Sequence, residues 1–115
     1  MLLITERVAH FENFTPEQEA ELDAKHRAFA ATIAESGAEI LSSDPLDLPA
    51  PQSRVTPQDD GTVLVTDGPF AETKEVLLGY YTLRVRDEAH ARQLAALCPT
   101  AGYVDLMKVR TAPLT

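Results

Sequence analysis

His26, Asp67 and the charged trio Glu72, Lys74 and Glu75 are the side chains whose types and spacing could carry chemistry in this sequence. A neutral imidazole, with an ordinary pKa of about 6.5, can take up or release a proton near neutrality. His26 falls on the apolar stripe of a predicted helix, four residues after Leu22 and three before Phe29, so it faces the sheet that this helix covers. There it would be partly dehydrated and could be aligned by a carboxylate. The same position suits a core histidine bonded to a backbone carbonyl, or a partly exposed helix residue. Asp67 is the natural carboxylate partner, at a strand end and held by a turn, although an Asp before Gly also caps its own turn. Glu72, Lys74 and Glu75 are candidates for binding a polar ligand, with Lys74 suited to an anionic group or to pairing with Glu72 or Asp67. The plain alternative is a solvated loop whose exposed ion pairs contribute little. His10 and His90 are weaker candidates, the first near a strand end and the second on the expected exposed side of a helix.

Composition removes several classes of function. A length of 115 residues, 44% hydrophobic and 24% charged, fits one globular domain spanning 1–115 with its own core. The net charge of −8 argues against nucleic acid and anionic membranes as partners, because phosphate contacts need clustered Lys and Arg. No apolar run approaches a membrane span of about 20 residues, and Glu6 and Arg7 interrupt the opening Met1-Leu2-Leu3-Ile4, so a cytoplasmic location is expected. A single Cys excludes an internal disulfide framework. Three scattered His, none spaced i, i+4, give no metal-site pattern, and no Gly-rich phosphate loop is present, so neither a metal nor a cofactor is expected.

The elements that must position these residues read as follows. Leu2–Val8 alternates as a first strand. Thr15-Pro16-Glu17-Gln18 starts a helix with a Thr cap, a Pro in the first turn and Gln three residues on; Gly37 ends it. Ala38–Leu41 is a second strand, and the Pro-rich 44–51 stretch a packed surface loop. Ser53–Thr56 regains strand pairing, Gln58–Gly61 turns, and Thr62–Thr66 is a strand. Asp67–Glu75 then leaves the sheet, because Pro69 cannot donate a ladder bond, and the chain returns at about Val76. Leu77–Arg86 alternates, with Tyr81, Leu83 and Val85 on one face. Asp87 caps a helix over Glu88–Leu97, and Tyr103–Arg110 is the last strand. Strand, helix, strand, a hairpin-like pair, helix and strand make the split βαβ pattern of a ferredoxin-like α+β domain. Two helices cover one sheet face, so a homodimer is expected to cover the other.

The run Val65-Thr66-Asp67-Gly68-Pro69-Phe70-Ala71-Glu72-Thr73-Lys74-Glu75, followed by Leu78-Gly79-Tyr80-Tyr81, resembles the signature of the DGPF-type branch of the YCII-related proteins. The likeness extends to the Pro-started first helix, the Asp87-led second helix and Cys98-Pro99, and so covers nearly the whole chain. It implies a ferredoxin-like fold forming a dimeric α/β barrel. In the YCII-related pattern a first-helix His lies eleven residues before the Gly that ends the helix, the spacing of His26 and Gly37. Elsewhere in the wider superfamily an Asp-Pro stands where this chain has Cys98-Pro99, so a His–carboxylate dyad using that Asp is not available here.

Two functions follow. The preferred one is a cofactor-independent small-molecule enzyme of lyase or isomerase type, with His26 as acid–base group and Asp67, Glu72 or Lys74 orienting it or a ligand. The other is a non-catalytic binding or regulatory module, associated with an extracytoplasmic-function sigma factor as the resemblance implies for many DGPF-type members. In that case the charged loop shapes a dimer or partner surface. Gly68, Pro69 and Phe70 read as structural, and a nucleophilic Cys98 is unsupported, since buried Cys behaves as a small apolar residue.

Overall fold

The computed structural model describes residues 1–7, 9, 14–46, 53–67 and 75–110. Its elements are β1 (Leu2–Arg7), α1 (Pro16–Glu35), β2 (Glu39–Pro45), β3 (Ser53–Pro57), β4 (Val63–Asp67), β5 (Glu75–Arg84), α2 (Glu88–Leu97) and β6 (Tyr103–Leu106). Four strands form an antiparallel sheet in the order β2-β5-β1-β6. With one helix after β1 and one after β5, this is an α+β arrangement consistent with the expected ferredoxin-like pattern.

The helix ends form as local chemistry dictates. Thr15 Oγ1 accepts the Gln18 amide at 3.1 Å, and Gln18 Oε1 accepts the Thr15 amide at 2.8 Å, a reciprocal cap on two orphan donors. At the other end Gly37 takes φ +87°, where a Cβ would be strained. The Ala38 amide then donates to Ile33 O and the Gly37 amide to Ala34 O, closing the helix. Asp87 caps α2 by accepting the His90 amide at 2.8 Å.

Alternation along β1 turns Leu2, Ile4 and Glu6 toward the helices, all buried. Phe29 and Ile33 of α1, Leu94 of α2, Tyr81 of β5 and Cys98 complete the core with Leu2, Ile4 and Ala38. Burying a side chain such as Leu2, Ile33 or Leu94 contributes roughly 1.5–3 kcal/mol each. Leu2 pairs with Tyr81 on one side and Leu106 on the other, which places the Tyr81 side chain on the covered face.

Three expectations change. The strand after the Gln58–Gly61 turn does not join the main sheet: among the described residues β3 and β4 pair only with each other, in a separate two-stranded ribbon whose residues are all exposed. Apolar alternation specifies a strand but not its partner, and β2 already occupies the free side of β5. Strand β2 runs on to Pro45, into the stretch read as loop; it is an edge strand, where a terminal Pro costs no ladder bond. Strand β6 is shorter than read and ends at Leu106. No helix of the described residues is long and apolar enough to cross a membrane.

Candidate functional site

His26 stands at the middle of α1, half-buried, neither on open solvent nor sealed in apolar packing. Its Nδ1 is 2.7 Å from the Tyr81 hydroxyl, and the two rings stack with centroids 5.9 Å apart at 19°. Phe29, one helical turn on from His26, meets the Tyr81 ring edge-on at 5.2 Å and 89°. Tyr81 is thus gripped from two positions of one helix face, and its hydroxyl is delivered to the imidazole rather than to solvent. The Ser43 side chain on the edge strand β2, whose Cα pairs with that of Tyr81, also hydrogen-bonds to Tyr81.

The electrostatics follow from burial. Desolvation lowers the His26 pKa from its ordinary 6.5, and the negative charges of Asp23 and then Glu6 work against it. Burial pushes the Tyr81 pKa up, helped by Cys98 and countered by the Ser43 hydrogen bond. The pair is therefore a neutral imidazole and a protonated phenol at neutral pH. It has two arrangements: the Tyr81 O–H donates to a bare Nδ1, or an Nδ1–H donates to the Tyr81 oxygen. In the second, Nε2 keeps its lone pair, the form a general base requires.

Further along β1, opposite Val76 rather than Tyr81, the covered face holds a buried carboxylate. Glu6 is 6% exposed on the covered face of β1, and Thr100 Oγ1 donates to its Oε2 at 3.2 Å. The Gly102 amide in turn donates to Thr100 Oγ1 at 3.0 Å. A Cβ on Gly102 would run into the Thr5 carbonyl oxygen and crowd Glu6 Cα, so only Gly lets this loop approach β1 so closely. Cys98 packs in the same core; burial first, and the Glu6 charge second, push its thiol up to about 11. It is a protonated thiol at neutral pH and no nucleophile.

The residues expected from sequence are distributed differently. Asp67 ends β4 on the exposed ribbon, its Cα opposite that of Ser53. Glu75 opens β5, is exposed, and accepts the Tyr103 hydroxyl at 2.6 Å across the sheet. Glu72 and Lys74, like His10, lie outside the described residues. His90 corrects the reading outright: it is 2% exposed, not on the outer side of α2. Its Nδ1 accepts the Arg86 amide at 3.2 Å, so Nε2 carries the proton and donates to Ser36 Oγ at 2.9 Å. Ser36 Oγ passes on to Ile33 O at 2.7 Å, so His90 ties the start of α2 to the end of α1. The i, i+4 pair His90 and Leu94 marked that face, but a polar type at the first position disguised it. Among the described residues no group of three or more His, Cys, Asp or Glu could hold a metal ion.

Tyr81 is the partner of His26 that sequence reasoning missed, and the buried Glu6 with its Thr100 hydrogen bond was missed as well. Tyr81 was legible as inward-facing, but its partner lies 55 residues away. The signal for Glu6 was a carboxylate on the inward side of an otherwise apolar alternation, Leu2-Ile4-Glu6.

The sequence model of the YCII-related domain matches residues 1–111. A stretch of 50 residues is 46% identical to an uncharacterised protein of Rhizobium meliloti (strain 1021), covering 40% of this chain and 40% of that relative.

Proposed function

The chain belongs to the YCII-related domain family, and from that footing we propose that it is a cofactor-independent small-molecule enzyme of lyase or isomerase type, with His26 as its acid–base group. The observation that carries this reading is the 2.7 Å bond that fixes a half-buried, neutral imidazole on the Tyr81 hydroxyl. The structural His90 is sealed in the core with both ring nitrogens bonded, whereas His26 is half-buried with its bond made through Nδ1, the setting a proton carrier needs. Tyr81 positions the ring, and the reaction class is removal and return of a proton at carbon beside a carbonyl, which needs no cofactor. Asp67, Glu72, Lys74 and Glu75 are ligand-binding candidates in this reading. Two copies packed through the sheet face that the helices leave open would form the dimeric barrel, and the location is cytoplasmic.

The test is deuterium incorporation into a panel of enolisable carbonyl compounds in heavy water, read by mass spectrometry. Wild-type protein is expected to label at least one compound, and His26→Asn to lose that labelling while staying folded. Equal labelling by the variant removes His26 from the chemistry.

A second reading, a non-catalytic module that binds a partner such as an extracytoplasmic-function sigma factor, is favoured by one feature. Val55, Val63 and Val65 lie exposed on the β3–β4 ribbon, more than half of each in solvent. A two-stranded ribbon alone is marginally stable in water. Co-purification with a co-expressed sigma factor, lost on Val65→Lys, supports this reading; no association at micromolar concentration removes it.

A further inference from the structure

We propose that Ser43 is a positioning residue of the His26 site: set opposite Tyr81 on the neighbouring strand, its hydroxyl acts through the Tyr81 phenol to decide which nitrogen of the imidazole carries the ring proton. The inference rests on the acid–base reading of His26 and extends it to the edge strand β2.

Three groups stand in a row. The register pairs the Cα atoms of Ser43 and Tyr81, and the Ser43 side chain hydrogen-bonds to the phenol. The phenol oxygen in turn lies 2.7 Å from His26 Nδ1, with the two rings stacked. Strand β2 forms an edge of the sheet, and Ser43 on it is exposed, whereas Tyr81 is 7% exposed and His26 half-buried. The row therefore starts at solvent and ends on the imidazole. Each member can both donate and accept. A hydroxyl carries one proton and two lone pairs, and a neutral imidazole has a proton on one nitrogen and a lone pair on the other.

The single phenol proton fixes the order of the whole row. In one order Ser43 donates to the phenol, the phenol donates to Nδ1, and Nε2 carries the ring proton. In the other, Nδ1–H donates to the phenol, the phenol donates to Ser43 Oγ, and Nε2 is bare. The first order offers Nε2–H as an acid, and the second offers Nε2 as a base. Removal of a proton from carbon needs the second. Without a hydroxyl at position 43, a phenol that accepts from Nδ1 leaves its own O–H without a protein partner at a buried oxygen, which is costly. Ser43 thus keeps the base form of His26 within reach. When Nε2 takes a proton from carbon, Nδ1–H goes on donating to the phenol, and the ring holds the charge until Nε2 returns the proton.

The experiment is NMR of the His26 ring nitrogens at about pH 8, above the ordinary histidine range. It compares wild type, Ser43→Ala, Ser43→Thr, Tyr81→Phe, and Tyr81→Phe combined with Ser43→Ala, with the ring signals assigned by their loss in His26→Asn. Ser43 is exposed on an edge strand, so its substitution leaves the core intact. Ser43→Ala is expected to shift the tautomer ratio about fivefold toward Nε2–H, the factor that one hydrogen bond commonly supplies. Ser43→Thr, which keeps the hydroxyl, should restore the wild-type ratio. In the Tyr81→Phe background Ser43→Ala should change nothing, because the intermediary is gone. An unmoved ratio in Ser43→Ala, the same shift in Ser43→Thr, or an equal shift in the Tyr81→Phe background each overturns the proposal. The ratio is read without substrate, so its failure leaves His26 as the acid–base group. Loss of that role is read separately, from deuterium labelling by His26→Asn.

Discussion

Replacing Tyr81 by Phe removes one oxygen and leaves the rest of the site in place. The ring still stacks on His26 and still meets Phe29 edge-on, so the packing contribution of a buried aromatic is retained. What is lost is the 2.7 Å bond to His26 Nδ1 and the contact with Ser43. A typical hydrogen bond contributes 0.5–1.5 kcal/mol net, and more is lost when the abandoned partner cannot reach water. His26 is half-buried and Ser43 exposed, so water replaces the phenol at both. The expected loss is about 1 kcal/mol. With a urea m-value of about 2 kcal/mol/M for a small domain, the unfolding midpoint should fall by about 0.5 M. Tyr81→Ala, which also empties the ring site, should cost about 3–5 kcal/mol, close to the whole stability of a marginal domain. The second readout of Tyr81→Phe is the His26 tautomer ratio from ring nitrogen shifts, which must change once Nδ1 faces water. A Tyr81→Phe protein with the wild-type midpoint and the wild-type tautomer ratio would refute the reasoning, because the bond would then not exist in solution.

Other outcomes follow from the same geometry. His90→Ala removes a 2%-exposed ring that accepts the Arg86 amide and bonds to Ser36, and should destabilise by about 2–4 kcal/mol in chemical denaturation without any specific effect at His26. Cys98, with its thiol raised from 9.0 to about 11, carries about a hundredfold less thiolate than an ordinary Cys at pH 8. It should resist iodoacetamide in the folded protein and react promptly in urea; rapid labelling of folded protein would contradict the burial. His26 is charged less readily in the folded state than in the unfolded state, so the unfolded chain binds more protons as pH falls through 6.5. Stability present above that pH should therefore decline as pH drops from 6.5 through the lower folded-state value, and His26→Gln should flatten this part of the stability–pH curve.

The layout of helices and sheet could be read from the residues because each boundary had its own local chemistry. Thr15 with Gln18, Gly37 and Asp87 all act as the capping they spell out. The Gln58–Gly61 turn made the β3–β4 pairing a local matter, but that this pair stands apart from the main sheet could not be read, since Val63, Leu64 and Val65 suit any sheet edge. His26 was legible from its stripe. Its partner was not: the expectation of a carboxylate followed from pKa chemistry, whereas the register Leu2 to Tyr81 placed a phenol there. His90 was assigned outward because polarity outweighed its i, i+4 relation to Leu94, and burial reversed that.

The most direct measurement is the titration of the His26 ring in the folded wild-type protein, with the protonation of each ring nitrogen followed by NMR. The expected result is a neutral ring at pH 7 that titrates below 6.5, with Nδ1 hydrogen-bonded to the Tyr81 hydroxyl. A ring titrating at or above 6.5, with the tautomer mixture of a free imidazole, would contradict it.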